Sequence, residues 1–414
     1  MYSFRKGEKN RKHPKHLLLL ILGGGLVGVL AMVSGVFAFS PFSPPLTIAA
    51  AKVAVHCFPV KDMEQKAECY RVRISNLFPE FPVSDIFRVI AFGQTYDVAL
   101  VDCHFIAHRI GEVAVAANRN TWPELVKDES ATALCSYGFV HGVTIAAYDH
   151  NGLSDAEVQK EMPKFKEACD VDGRNLRDSC LHALGHMMYY ITGGDVARSL
   201  TYCDQAVTLR EGEGNVFTAN RRCYTGTMMM LFFSFIDPDW EETTRYVLNR
   251  DTVQTFCESL KKDTYVGACM RASWPLFDDV VTKPGGVDTF CKGQPDVAET
   301  EWCYAKIFVA LAWKNVNNPA HMALLCEATS ASRRESCYLN AAREYLAGGG
   351  GRSAVQESGA LCGLSGDEVI REKCLKGIVQ GGGRYESKGS HGRVGYCAHL
   401  PEALRSVCMD QENQ

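Results

Sequence analysis

The 414-residue chain lacks most of the short strings that announce a familiar catalytic or nucleotide-handling protein. No Cys-x-x-Cys occurs among its eighteen cysteines. A thioredoxin-type redox pair, a haem-attaching Cys-x-x-Cys-His and a zinc ribbon built on close thiolates are therefore excluded. No Gly-x-Ser-x-Gly string is present, which removes the usual serine-hydrolase elbow. The glycine runs Gly348–Gly351 and Gly381–Gly383 lack the Gly-Lys-Ser/Thr ending of a phosphate loop and read as turns between hairpins. There is no basic excess either. The formal charge is −4, and with the N-terminal tail's +5 set aside it becomes −9. That balance argues against nucleic acid and against an anionic membrane surface as partners of the main body, and it is compatible with binding cations.

Charge is missing altogether from one segment. Residues 17–39 hold no charged side chain, while residues 1–16 carry Arg5, Lys6, Lys9, Arg11, Lys12 and Lys15 against Glu8. A helix over 17–39 would reach about 34 Å, enough for a hydrocarbon core of about 30 Å. Basic residues stay on the cytoplasmic side. The expectation is a cytoplasmic tail (1–16), a transmembrane anchor (17–39), a linker (40–55) and an extracytoplasmic body in two helical-repeat regions, 56–235 and 236–414. A cleaved signal peptide ending at Val36-Phe37-Ala38 is the rival, although its apolar run would exceed the usual length.

What the chain has in quantity is cysteine, all of it after the uncharged segment. An even number of cysteines outside the cytoplasm reads as disulfides. Their spacing marks a repeat. Cys57/Cys69, Cys169/Cys180, Cys257/Cys269, Cys291/Cys303, Cys326/Cys337, Cys362/Cys374 and Cys397/Cys408 are each 11 or 12 apart, and Cys203/Cys223 is the same unit with a longer insert. From Cys257 onward the units advance by 34 to 36 residues, the length of a helix–turn–helix repeat. A short amphipathic stretch leads to each first cysteine, and a longer apolar one follows each second cysteine, as in Cys303–Trp313. The expected fold is all-α: αα-hairpins, each stapled by a disulfide across its loop, stacked into a solenoid. Free buried thiols are the alternative. Residues 235–256 read as an inserted helix. Cys103 and Cys135 stand outside the pattern and are expected to pair with each other, with a metal thiolate as the other possibility.

Five histidines fall in this irregular stretch, in Cys103-His104-Phe-Ile-Ala-His108-Arg-Ile-Gly-Glu112, Gly138-Phe-Val-His141-Gly142 and Cys180-Leu-His182-Ala-Leu-Gly-His186. Residues four apart share a helix face, so His104 projects with His108 and His182 with His186. Such a pair can hold one metal between adjacent turns. By distance from the cysteines, His108, His141 and His186 should lie at one depth, with His104 and His182 a turn nearer the hairpin ends. All five are candidate ligands for a divalent transition metal, with zinc, copper and iron open. Met228–Met230, in similar register one repeat on, would favour copper if a thioether joined the site, or is simply core. Glu112 shares the face of His108 and is the candidate general base. Asp102 and Asp178 could orient imidazoles. Gly111, Gly138, Gly142 and Gly185 suggest close approach of neighbouring backbones. Hydrogen-bonded core histidines are the bland alternative, and haem ligation is a third.

The strings Cys-His-x-x-x-His, Gly-Phe-Val-His-Gly and Cys-x-His-x-x-Gly-His, followed by Cys-Tyr-x-Gly and the methionine run, resemble a group of uncharacterised membrane-anchored bacterial proteins. The similarity is best over residues 100–230 and implies no activity. The hairpin period resembles tetratricopeptide arrays in architecture only, since their Trp, Leu-Gly and Tyr positions are not recognisable. Two functions remain in competition. One is a metal-dependent enzyme, hydrolytic or oxidative. The other is a non-enzymatic scaffold that binds protein or peptide partners on its repeat surface, its histidines structural or metal-storing.

Overall fold

The computed structural model describes residues 43–385 apart from 95, 101–102, 128–133, 149–151, 171–173, 208–215, 236–245, 316–317 and 350–351. It is all-helical, with no strand among the described residues. The segment 17–39, the basic tail, Asp102, Cys397 and Cys408 lie outside them, as do residues 236–245 of the stretch 235–256 read as an inserted helix. Among the described residues no helix is long and apolar enough to cross a membrane.

The chain divides into two units at Val60. In the first, α1 spans Pro44–Cys57, where a linker was expected over 40–55. Two features make it helical: prolines in the first turn, where no N–H is needed, and the alanine-rich run Ile48–Ala54.

The second unit is built from helical hairpins. It opens with α2 (Met63–Ser75) and α3 (Val83–Gly93), followed by α4 (His104–Ala117), α5 (Trp122–Val126) and α6 (Gly138–Ala146). Next come α7 (Asp155–Ala168) with α8 (Arg174–Ile191), and α9 (Val196–Ala206) with α10 (Val216–Met229). Then α11 (Arg250–Ser259) pairs with α12 (Asp263–Ala272), and α13 (Asp278–Val281) leads to α14 (Gly286–Cys291) with α15 (Val297–Lys314). The last pairs are α16 (Pro319–Glu327) with α17 (Ala331–Gly349), and α18 (Arg352–Gly363) with α19 (Glu368–Tyr385). Side-chain caps start many of them. Ser154 and Glu157 form a capping box on α7, and Asp195, Asn249, Asp296 and Asn318 cap α9, α11, α15 and α16. Each such cap satisfies backbone donors that the first helical turn leaves unpaired.

Disulfides join Cys169–Cys180, Cys203–Cys223, Cys257–Cys269, Cys291–Cys303, Cys326–Cys337 and Cys362–Cys374, one per hairpin, as the spacing predicts. Cys57 and Cys69 are also disulfide-bonded, and no free cysteine occurs among the described residues. This density of disulfides suits an oxidising, extracytoplasmic compartment. One detail differs from expectation. The second cysteine does not begin its helix but lies about two turns inside it, as Cys303 does in Val297–Lys314. The helix starts earlier because a capped polar turn, such as Asp296 to Glu301, precedes the apolar stretch. Gly381–Gly383 likewise lie inside α19 rather than in a turn. There, packing of Ile378 and Val379 into the core outweighs the low helix propensity of glycine.

The longer helices of successive hairpins pack in chain order: α4 on α6, α6 on α8, α8 on α10, α10 on α12, α12 on α15, α15 on α17 and α17 on α19. Behind α15 and α17 lies a core of Ile307, Phe308, Leu311, Tyr338 and Tyr345, into which the disulfides of their hairpins are sunk. The row also curls back on itself. His104 of α4 lies 6.3 Å, ring to ring, from Trp313 of α15, and residues 134–137 touch α17. Side chains on the inner face of the row therefore converge.

Candidate metal centre

The five histidines enter this interior from α4, α6 and α8. Glycine sets their spacing. A Cβ on Gly142 would sit 2.0 Å from the His108 carbonyl oxygen, and one on Gly138 would sit 2.2 Å from that of His104. Between α8 and α10, Gly185 meets the Cys223 carbonyl at 2.0 Å and Gly226 meets that of His182 at 1.9 Å. No side chain fits at these four places, so the paired helices touch backbone to backbone. Gly226, the glycine of the Cys-Tyr-x-Gly string, was not among the glycines expected at a close approach. The disulfide Cys103–Cys135 closes the same region, tying the start of α4 to the segment before α6. That segment is held tightly, with Cys135 and Tyr137 at φ of 60° and 62°, in the left-handed region.

The imidazoles form two three-nitrogen sets, His104/His108/His141 and His141/His182/His186, the ligand atoms of each set lying within 4.8 Å of one another. Ring centroids separate His141 from His104 by 5.1 Å, from His108 by 5.4 Å, from His182 by 5.3 Å and from His186 by 4.9 Å. The expected single level of His108, His141 and His186 is thus replaced by a different grouping. Each i, i+4 pair acts together, and His141 stands between the pairs. Gly142 brings α6 close enough to α4 for one ring to serve both sides.

Hydrogen bonds decide which nitrogens face inward. The His104 Nδ1 lies 3.1 Å from the Cys135 carbonyl. His182 hydrogen-bonds the Arg222 backbone. His186 Nδ1 lies 2.7 Å from the Met230 sulfur. Carbonyls only accept, so His104 and His182 turn a ring N–H toward them and leave the opposite nitrogen as a lone pair. The His182 and His186 Nε2 atoms then face each other at 3.2 Å. At that distance one nitrogen can donate to the other, and a cation placed between them would take the proton's place. Two nitrogens bound tetrahedrally to one ion at about 2.0–2.1 Å would stand about 3.3 Å apart. His108 Nε2 is buried and has no hydrogen-bond partner, although such groups are normally satisfied. A cation would satisfy it. Burial, reinforced by neighbouring rings, pushes His108, His141 and His182 well below the ordinary imidazole pKa, and pushes His186 down to about 3. All four are neutral near pH 7, the protonation state a ligand needs.

Other expected residues take different places. Glu112 pairs with Arg109 at 2.7 Å and belongs to neither set. Asp178 bonds Arg222 at 3.0 Å rather than an imidazole; the carbonyls of Cys135 and Arg222 orient the rings instead. Of the methionine run, Met230 reaches the site, from outside, against the His186 Nδ1.

A second polar cluster adjoins the first and was not anticipated. Glu299, fully buried, pairs with Arg271 and, at 2.6 Å, with Arg221. Arg222 stacks on Trp302, its guanidinium 4.6 Å from the ring centroid. Trp313 donates to Glu344. Lys306 lies in the field of Glu344, Arg222 and Arg271. No sequence motif marks this group, because its members come from α10, α12, α15 and α17 and meet only when the row curls. Comparison with family models, curated proteins and solved structures found no match to this chain.

Proposed function

We propose that this chain is an extracytoplasmic metalloprotein whose five histidines bind divalent transition metal, zinc, copper or iron, and that the site acts as a metal-dependent enzyme. The observation that carries the reading is the convergence of the five imidazoles into two three-nitrogen sets, the ligand atoms of each within 4.8 Å of one another. A set of three neutral imidazoles leaves an ion of this class an open position for water or substrate. Bound there, the ion would supply Lewis acidity and a water acidic enough to be a nucleophile at neutral pH. The protein's own part is to fix the rings by Cys135, Arg222 and Met230, and to keep them neutral by burial. Either set of three imidazoles would hold an ion, and His141 belongs to both. In this reading the stapled hairpins form a solenoid, and the uncharged run 17–39 tethers it to a membrane.

Elemental analysis of the purified full-length chain tests the proposal. The expected result is stoichiometric metal, lost when His108→Ala and His186→Ala are combined. One ion per chain means that the two sets compete for His141, and two mean that both are filled. A folded chain that takes up no zinc, copper or iron overturns the reading.

A further inference from the structure

The inner face of α15 carries Trp302, Lys306 and Trp313, spaced four and seven residues apart and so on one side of the helix. The two tryptophans fix where that side looks. Trp302 lies under Arg222, 4.6 Å away, and under Arg271, 5.9 Å away. Trp313 lies 6.3 Å from the His104 ring. Lys306 stands between them, so its amine is set opposite the histidines. Its positive charge acts on both His182 and His186. Among the described residues Lys306 makes no ion pair within 4.0 Å, although it is largely withdrawn from water.

Arg222 repeats this pattern. One terminal nitrogen is held by Asp178, while its Nε is buried with no hydrogen-bond partner. Two cationic donors beside the imidazoles are therefore unspent. Arg221, Arg222, Arg271 and Lys306 face four carboxylates, Asp178, Glu299, Glu344 and Asp296. Burial also raises the Glu344 carboxyl above its ordinary pKa. Neutral imidazoles add no negative charge of their own. A divalent ion held by them would keep its full charge and tip the balance to positive. Buried cations demand a counter-charge, and among the described residues no carboxylate lies within 4.0 Å of the Lys306 amine.

We infer that Lys306 and Arg222 form an anion-binding wall beside the metal centre, shaped for the carboxylate or phosphate group of a small substrate. The inference rests on the metal reading above for the substrate's other contact. Lys306 supplies a point charge with three donors, and the Arg222 Nε supplies one directed donor. Trp302 holds the Arg222 guanidinium in plane, and Trp313 walls the far side. With an oxyanion seated between Lys306 and Arg222, the adjoining part of the substrate would lie against the imidazole sets. The site would thus select small anions, and the α15 hairpin would set specificity for chemistry carried out on α4, α6 and α8.

The test is titration calorimetry of the purified full-length chain with inorganic phosphate and, separately, acetate, with metal content measured on the same samples. Saturable binding of either probe is expected, weakened about tenfold or more in Lys306→Met, as befits loss of a charged hydrogen bond of about 1.5–3 kcal/mol. Lys306→Arg should restore most of it. Metal content should be unchanged in both variants, and their circular dichroism should match the parent. No binding in a metal-replete parent chain, or binding that Lys306→Met leaves intact, overturns the anion wall and leaves the metal reading standing. A chain that takes up no metal overturns the metal reading instead. The same titration on that chain still decides the wall: phosphate binding lost in Lys306→Met keeps it, and no binding removes it.

Discussion

The histidine region, α4 to α8, and the arginine–glutamate region, α10 to α15, bury polar groups by opposite rules. The first crowds neutral rings together and leaves the His108 Nε2 without a hydrogen-bond partner. The second buries full charges and pairs them, Glu299 between Arg221 and Arg271. A paired buried charge is a structural device, since losing one partner strands the other in low dielectric. An unpaired buried nitrogen on a ring that is otherwise tightly oriented is a binding device, since something else must complete it. Lys306 and Arg222 matter because they belong by sequence to the second region but follow the rule of the first.

The largest effect should come from breaking the paired region. Glu299→Ala strands two arginines and is expected to destabilise the fold by about 3–5 kcal/mol, read from denaturant unfolding. An equal loss in metal affinity without a loss of stability would show that the two regions are not distinct in kind. Next is Gly142→Ala, which puts a methyl group 2.0 Å from the His108 carbonyl oxygen. The helices must part, at a cost of about 3 kcal/mol, and metal uptake should fall with stability because His141 moves away from His108. Unchanged metal content in that variant would detach the glycine contact from the site.

Acid should separate the regions further. The folded-state pKa of His186 is depressed to about 3 by burial, while in the unfolded chain it is about 6.5. The unfolded state therefore takes up the proton first. The stability from the neutral ring is complete above pH 6.5 and drains away as pH falls toward 3. At pH 5 the loss is about 2 kcal/mol for this ring alone. The metal-free chain should show a falling Tm from pH 7 to 5, and His186→Gln should flatten that slope. A parallel slope in the variant would mean that the histidines are not what acid attacks. The smallest effect belongs to the C-terminal hairpins. Gly359 lies within α18, and a Cβ there meets nothing within 4 Å. Gly359→Ala should stabilise by about 0.5–1 kcal/mol, in contrast to Gly142→Ala. A destabilising result would show that the last hairpins are packed as tightly as the first.

Much of this was legible in advance because it is local. Helix–loop–helix units follow from spacing between cysteines, and a bridge across a short loop needs no knowledge of the rest. The pairs His104/His108 and His182/His186 follow from helical period. Cys103–Cys135 was reachable because every other cysteine in the array had a partner at fixed spacing. Glu112 was placed correctly on the His108 side of the helix by period, but its partner was not. Arg109, one turn away, holds the carboxylate, and period alone does not weigh a nearby cation against a metal ion. Met230 reads from the sequence as a possible soft ligand, whereas its sulfur meets the Nδ1 of His186 rather than the Nε2 that faces His182. That distinction depends on a ring orientation that only the packed helices define.

The sequence by itself determined the all-helical hairpins, their disulfide pairing and the identity of the five histidines, because each depends on contacts within some thirty residues along the chain. Tertiary structure alone decided that His141 stands between two pairs, that the Cys135 and Arg222 backbones orient their rings, and that Lys306 and Arg222 lie beside them. These depend on how closely one helix lies against the next and on how far the row curls. Both quantities are sums of many small packing contacts, and no single residue type announces them.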